Sequence, residues 1–164
     1  MQLLLLLASL LLQPAAPASP LAPLDFFVGS CWSGQGPRGD VDRHCFTKAY
    51  GHFVRDVHEV TGAAKPYGGE TLYHWDAKAG VVRFTYWNTS GGVSTGTMSA
   101  QGAAMVFPET YDGKDGQRIE LRSRWAPDGK DAYIATTEQK KGDTWVEVSR
   151  RVFKRTSDAV APKG

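Results

Sequence analysis

The chain has 164 residues, a formal net charge of +2 and 41% hydrophobic residues, of which the aromatics make up 11% of the whole. That length suits one domain with a real core. Its 19 basic residues are scattered among 17 acidic ones, so no basic stripe suggests nucleic acid.

The first 18 residues, MQLLLLLASLLLQPAAPA, read as a signal peptide. Leu3 to Leu12 is an apolar run too short to span a bilayer, and Ala16-Pro17-Ala18 is a small-x-small cleavage signal. The expected product is exported, periplasmic or secreted, with no stable membrane insertion after cleavage. An uncleaved leader serving as an anchor is the competing reading. The expected division is a signal peptide over 1–18, an irregular segment over 19–27, a β-barrel over 28–156 and a disordered tail over 157–164. One short helical turn fits Asp25 to Val28.

Gly36-Pro37-Arg38-Gly39-Asp40 reads as a three-residue hairpin loop, with Pro37 presetting φ and Gly39 taking the left-handed position. Pairing Gly36 with Asp40 sets Cys31 opposite Cys45 and Trp32 opposite His44. In an exported chain, two cysteines are most simply one disulfide, and this register supplies Cys31–Cys45. Its loop of about 15 residues stabilises the fold by roughly 3 kcal/mol in the chain-entropy model. Adjacent strand residues face opposite ways, so Trp32 and His44 share the other side. The turn also accounts for Arg38-Gly39-Asp40 without invoking cell adhesion.

Beyond this hairpin the chain alternates in short segments punctuated by glycine, the pattern of an all-β sandwich or barrel. Ten strands are expected, at about 28–36, 40–48, 52–61, 68–76, 80–88, 92–100, 103–108, 117–126, 130–138 and 144–155. A four-residue loop pairing Asp76 with Val81 gathers Thr71, Tyr73, Trp75, Val82, Phe84 and Tyr86 on one face. A Gln101-Gly102 turn joins Met98, Met105 and Phe107. The Ala126-Pro127-Asp128-Gly129-Lys130 turn joins Leu121, Ser123, Trp125, Tyr133 and Ala135. A three-residue loop around Lys140-Lys141-Gly142 sends Trp145, Glu147, Ser149, Arg151 and Phe153 inward, a polar set that needs a partner or a ligand. A register slip of one would instead turn Val146, Val148 and Val152 inward.

Phe27-Val28-Gly29-Ser30-Cys31-Trp32, the ten-strand meander and Arg151-Val152-Phe153 together resemble the calycins: lipocalins, fatty-acid-binding proteins and nitrobindin-like proteins. The nearest resemblance is to exported bacterial lipocalin-like domains without a helical lid. The resemblance implies an up-and-down antiparallel barrel. It marks Arg151, and Phe153 by position alone, at the place where fatty-acid-binding proteins hold a carboxylate. Nitrobindin-like proteins hold haem through a histidine late in the chain. Here His44, His52, His58 and His74 all lie in the first half, so no cofactor is expected.

The expected ligand-binding residues are Trp32, His44, Tyr73, Trp75, Phe84, Tyr86, Trp125, Tyr133 and Arg151, an aromatic lining with a few polar groups. The expected partner is a small apolar or amphipathic molecule, an anionic one included. His44 reads as a hydrogen-bonded structural residue. His52 and His58 are too far apart on an extended strand to share an ion, and HxH, HExxH and CxxC are absent, so no metal site is expected. Binding is favoured over catalysis. A cavity enzyme (cyclase, isomerase or lyase) using His44, Tyr73 or Glu147, and a ligand-free structural envelope protein, are the alternatives.

Overall fold

The computed structural model describes residues 19–158; residues 1–18, where a signal peptide is expected, and the last six residues lie outside that range. Ten strands follow one short 3₁₀ turn, Ala22–Phe26. They are β1 (Ser30–Gln35), β2 (Val41–Ala49), β3 (Phe53–Thr61), β4 (Tyr67–Asp76), β5 (Val81–Asn88), β6 (Val93–Gln101), β7 (Ala104–Asp112), β8 (Arg118–Pro127), β9 (Ala132–Lys141) and β10 (Thr144–Asp158). Each strand pairs antiparallel with the next, and β10 returns to β1 to close an up-and-down barrel. The alternation leaves a sandwich or a barrel open, and the observed fold is the up-and-down barrel that the calycin resemblance implies. The last strand reaches Asp158, so the expected disordered tail begins too early: Ser157 pairs with Cys31.

The opening hairpin has the expected register, with Cys31 opposite Cys45 and Trp32 opposite His44. Gly36 N–H donates to the Asp40 carbonyl at 2.7 Å, and Gly39 has φ +82°. The two cysteines form a disulfide. Asp76 pairs with Val81 as expected.

Three other turns differ in detail. The β6–β7 loop is Gly102-Ala103, one residue later than expected, because Gln101 pairs with Ala104. The β8–β9 loop is longer, since Pro127 pairs with Tyr133. Both changes move the pairing by an even number of residues, so the expected faces survive: Met98, Met105, Phe107 and Tyr133 are all buried.

The last hairpin corrects the expected polar set. Its loop has two residues, because Thr144 pairs with Lys141, and this reverses the parity of Trp145 and Glu147. Arg122 stacks over the Trp145 ring, and Arg150 pairs with Glu147, both on the outer face. A bulge between Glu147 and Ser149 then restores the original parity. Arg151 is held inside and Phe153 is buried, while Val146, Val148 and Val152 stay exposed.

The segment over 19–27, expected to be irregular, plugs one end of the barrel. Leu24 and Phe27 are fully buried. The Phe27 ring contacts Trp32, Phe46, Trp125 and Tyr133 at centroid distances of 4.9–5.8 Å. Trp32 Nε1 donates to the Phe27 carbonyl, and Arg155 covers the outside of the indole at 4.4 Å. The plugged half is therefore filled chiefly by a buried cluster of aromatic side chains. Phe27→Ala should destabilise the protein by about 3–5 kcal/mol, read as a fall in the urea midpoint at unchanged slope.

Candidate functional site

The other half of the barrel is hollow. A cavity of about 380 Å³ opens between β2, β3, β4 and the strands facing them. Tyr73, Phe84, Phe107, Leu121 and Trp125 form its apolar wall. Glu109 projects from β7 opposite, with Ser123 Oγ 3.4 Å away. Burial pushes the Glu109 carboxyl above its ordinary value of 4.5, against the pull of its serine hydrogen bonds.

The polar end is built by β2 and β3. Their short loop pairs Ala49 with Phe53, which sets His44 directly opposite His58. The two imidazoles stack, with centroids 4.3 Å apart and planes 11° from parallel. His44 Nδ1 lies 2.7 Å from Asp56 Oδ2, and Asp56 is 1% exposed. His58 Nδ1 lies 3.1 Å from the Tyr86 hydroxyl, which donates to the Tyr67 hydroxyl at 3.0 Å. Both Nε2 atoms turn to Asp42 Oδ1, at 3.5 Å from His44 and 2.7 Å from His58. Burial pushes His44 down, but the carboxylates of Asp56 and Asp42 outweigh it and hold the imidazole above its ordinary value. Burial likewise raises Asp42, yet the His58 contact and the nearby cations bring it below the usual carboxylate range.

Arg151 lies behind this group. Its NH2 reaches Asp40 Oδ2 at 2.9 Å and its NH1 reaches Asp42 Oδ2 at 2.8 Å. Gly34 gives it room: a Cβ there would lie 2.8 Å from Arg151 Cγ and Cδ and from the Val152 carbonyl oxygen. The Asp40 carboxylate of the Arg-Gly-Asp turn is thus turned inward to a cation of its own chain.

Of the expected ligand-binding residues, His44, Tyr73, Phe84, Tyr86 and Trp125 line the cavity. Trp32 lies in the plugged half, and Trp75 is 41% exposed beside the N-terminal segment. Tyr133 and Arg151 border a smaller recess of about 90 Å³ behind His44. Asp42, Asp56, His58, Tyr67 and Glu109 were not expected. The sequence carries the signal for two of them. Pairing Ala49 with Phe53 across Tyr50-Gly51-His52 places His44 beside His58, and Asp42 shares their face by period 2.

The chain is thus a closed antiparallel barrel with one plugged end and one polar-lined cavity. Among solved structures, the crystal structure of Rv2717c from M. tuberculosis superposes with a TM-score of 0.57 at 14% identity, over 85% of this chain and 98% of that one. At that identity the likeness concerns the fold. No protein-family model matches the chain, and no curated protein sequence does either.

Gly34→Ala should press on Arg151 and on backbone that cannot yield, destabilising the barrel by about 1–3 kcal/mol; thermal unfolding would show it. Glu109 supplies a pH signature. Its folded pKa lies above its unfolded value, so its favourable contribution holds at acid pH and is lost as pH rises through the folded value. Glu109→Gln should remove that loss, leaving the variant more stable than the parent at alkaline pH and similar at acid pH, measured by urea midpoints across the range.

Proposed function

We propose that the chain is an exported, lipocalin-like member of the calycin group that binds one small, largely apolar molecule inside the barrel. The observation that carries this reading is the cavity itself. Its volume of about 380 Å³ lies within the roughly 300–1,000 Å³ typical of small-molecule sites. Its aromatic wall would take the body of the ligand, and its polar end would orient the head. The disulfide fits an oxidising compartment.

The charge of the head group follows from the partners. Arg151, the residue marked for a carboxylate, has both terminal nitrogens engaged by Asp40 and Asp42. The cavity wall itself carries Asp56 and Glu109. A neutral or cationic hydrogen-bonding head suits this surface better than an anion. A cavity enzyme remains the competing reading, carried by the Asp56–His44 pair, which resembles an oriented general base. Glu147 leaves that set because it pairs with Arg150 on the outside.

Titration with Nile red, then displacement by a medium-chain alcohol and the matching fatty acid, tests the proposal. Saturable one-to-one binding, quenching of Trp125 fluorescence and preference for the alcohol are expected. Leu121→Trp should weaken binding at least tenfold by filling the cavity. Absence of saturable binding overturns the reading, and preference for the acid overturns its charge assignment.

A further inference from the structure

We propose that Asp42, His44 and His58 form a site for a divalent transition-metal ion, with one coordination position open to the cavity. It goes beyond the binding of an organic ligand and does not depend on it. The three donor atoms lie within 4.8 Å of one another. Their proton positions make the case. His44 Nδ1 faces the Asp56 carboxylate, which accepts only, so that nitrogen carries a proton. Tyr86 gives its hydroxyl proton to Tyr67, so His58 Nδ1 must donate to Tyr86. In their neutral forms both imidazoles therefore present a bare Nε2, and both aim it at one oxygen, Asp42 Oδ1.

Three lone pairs converging on one point repel unless something positive sits among them. Protonating both rings would stack two imidazoliums at 4.3 Å, which is itself repulsive, and one proton on His58 serves Asp42 but leaves the bare His44 Nε2 facing the same oxygen at 3.5 Å. One metal ion satisfies all three donors. Asp42 Oδ1 and His58 Nε2 are buried and 2.7 Å apart, so without an ion one proton must bridge them, and a metal would take that proton's place. Asp56, almost fully buried beside them, leaves its Oδ1 without a hydrogen bond.

The surroundings suit a dication. Asp40, Asp42 and Asp56 bring three carboxylates, and Arg151 offsets one. Each histidine has its far nitrogen held by an outer partner, Asp56 or Tyr86, which fixes the ring and strengthens the donor. Metal–nitrogen bonds of about 2.0–2.1 Å in a tetrahedral site set donors roughly 3.3 Å apart. Asp42 and His44 already meet that spacing at 3.5 Å, and His58 must withdraw by about half an ångström. Two imidazoles and a carboxylate favour zinc and its neighbours over calcium or magnesium. His44 and His58 line the cavity, so the remaining position faces it.

The test uses the full chain after chelator treatment and dialysis, titrated with Zn²⁺ by calorimetry. One equivalent should bind at micromolar Kd or tighter. His58→Gln and His44→Gln should each weaken it at least tenfold, while His52→Gln, at an exposed histidine, should leave it unchanged. Long-range proton–nitrogen spectra of the unsubstituted protein give a readout independent of the variants' folding. Zn²⁺ should shift the Nε2 signals of His44 and His58 and leave those of His52 and His74 in place. No saturable binding, undiminished affinity in folded His58→Gln, or shifts centred on His52 or His74 would each overturn the assignment.

Discussion

Taking the Asp42 carboxylate out of water is expensive unless cations and donors surround it. His58 and Arg151 each approach one of its oxygens within 3 Å, and His44 lies a little farther away. Those three residues come from β3, β10 and β2, so one carboxylate couples the first hairpin to the last strand. The pairing of Arg151 with Asp40 fixes the β1–β2 turn to the same point. Removing any one partner would leave charge stranded in the interior, which is why the polar end has a defined arrangement despite its hollow neighbour.

The two halves of the barrel use opposite means of being ordered. In the plugged half, Leu24 and Phe27 enter from the segment before β1 and complete a dense aromatic cluster. Order there comes from packing, in which loss of a methylene is felt. In the hollow half, fewer contacts are available, and order comes from paired polar groups anchored in neighbouring strands. Period 2 lets one strand serve both regions: β2 gives Phe46 to the plug and His44 to the cavity.

Turn chemistry made much of this legible in the sequence. Gly39 and the proline before it set the register of Cys31 with Cys45, and the loop after Asp76 set that of β4 with β5. Where a loop is shifted, as at Gly102, or longer, as at Gly129, an even displacement keeps the faces intact. At the last hairpin the bulge near Val148 cancels a one-residue difference in register, so Arg151 faces inward as its parity suggests, whereas Trp145 and Glu147, before the bulge, face outward. The bulge carries no glycine or proline signal, because its extra residue is a valine. The paired histidines went unseen because their relation is across strands, and linear motifs such as HxH do not register it. The N-terminal plug was equally hidden: a short proline-containing stretch has no periodicity, and its two large side chains acquire meaning only once the barrel exists to receive them.

Closure joins the two ends of the chain, for Cys31 and Ser30 on β1 meet Thr156 and Arg155 on β10, 125 positions later. Every other strand pairing is a local hairpin. The β1–β2 pairing and its disulfide are local in sequence, whereas the outer edge of β1 has no partner but the last strand. Such distant pairing slows folding, and an open edge is a template for the wrong neighbour. The disulfide lies on the side of β1 away from β10. It secures the ribbon and leaves the seam free to close, which makes joining the first and last strands the step that separates a finished barrel from an aggregation-prone sheet.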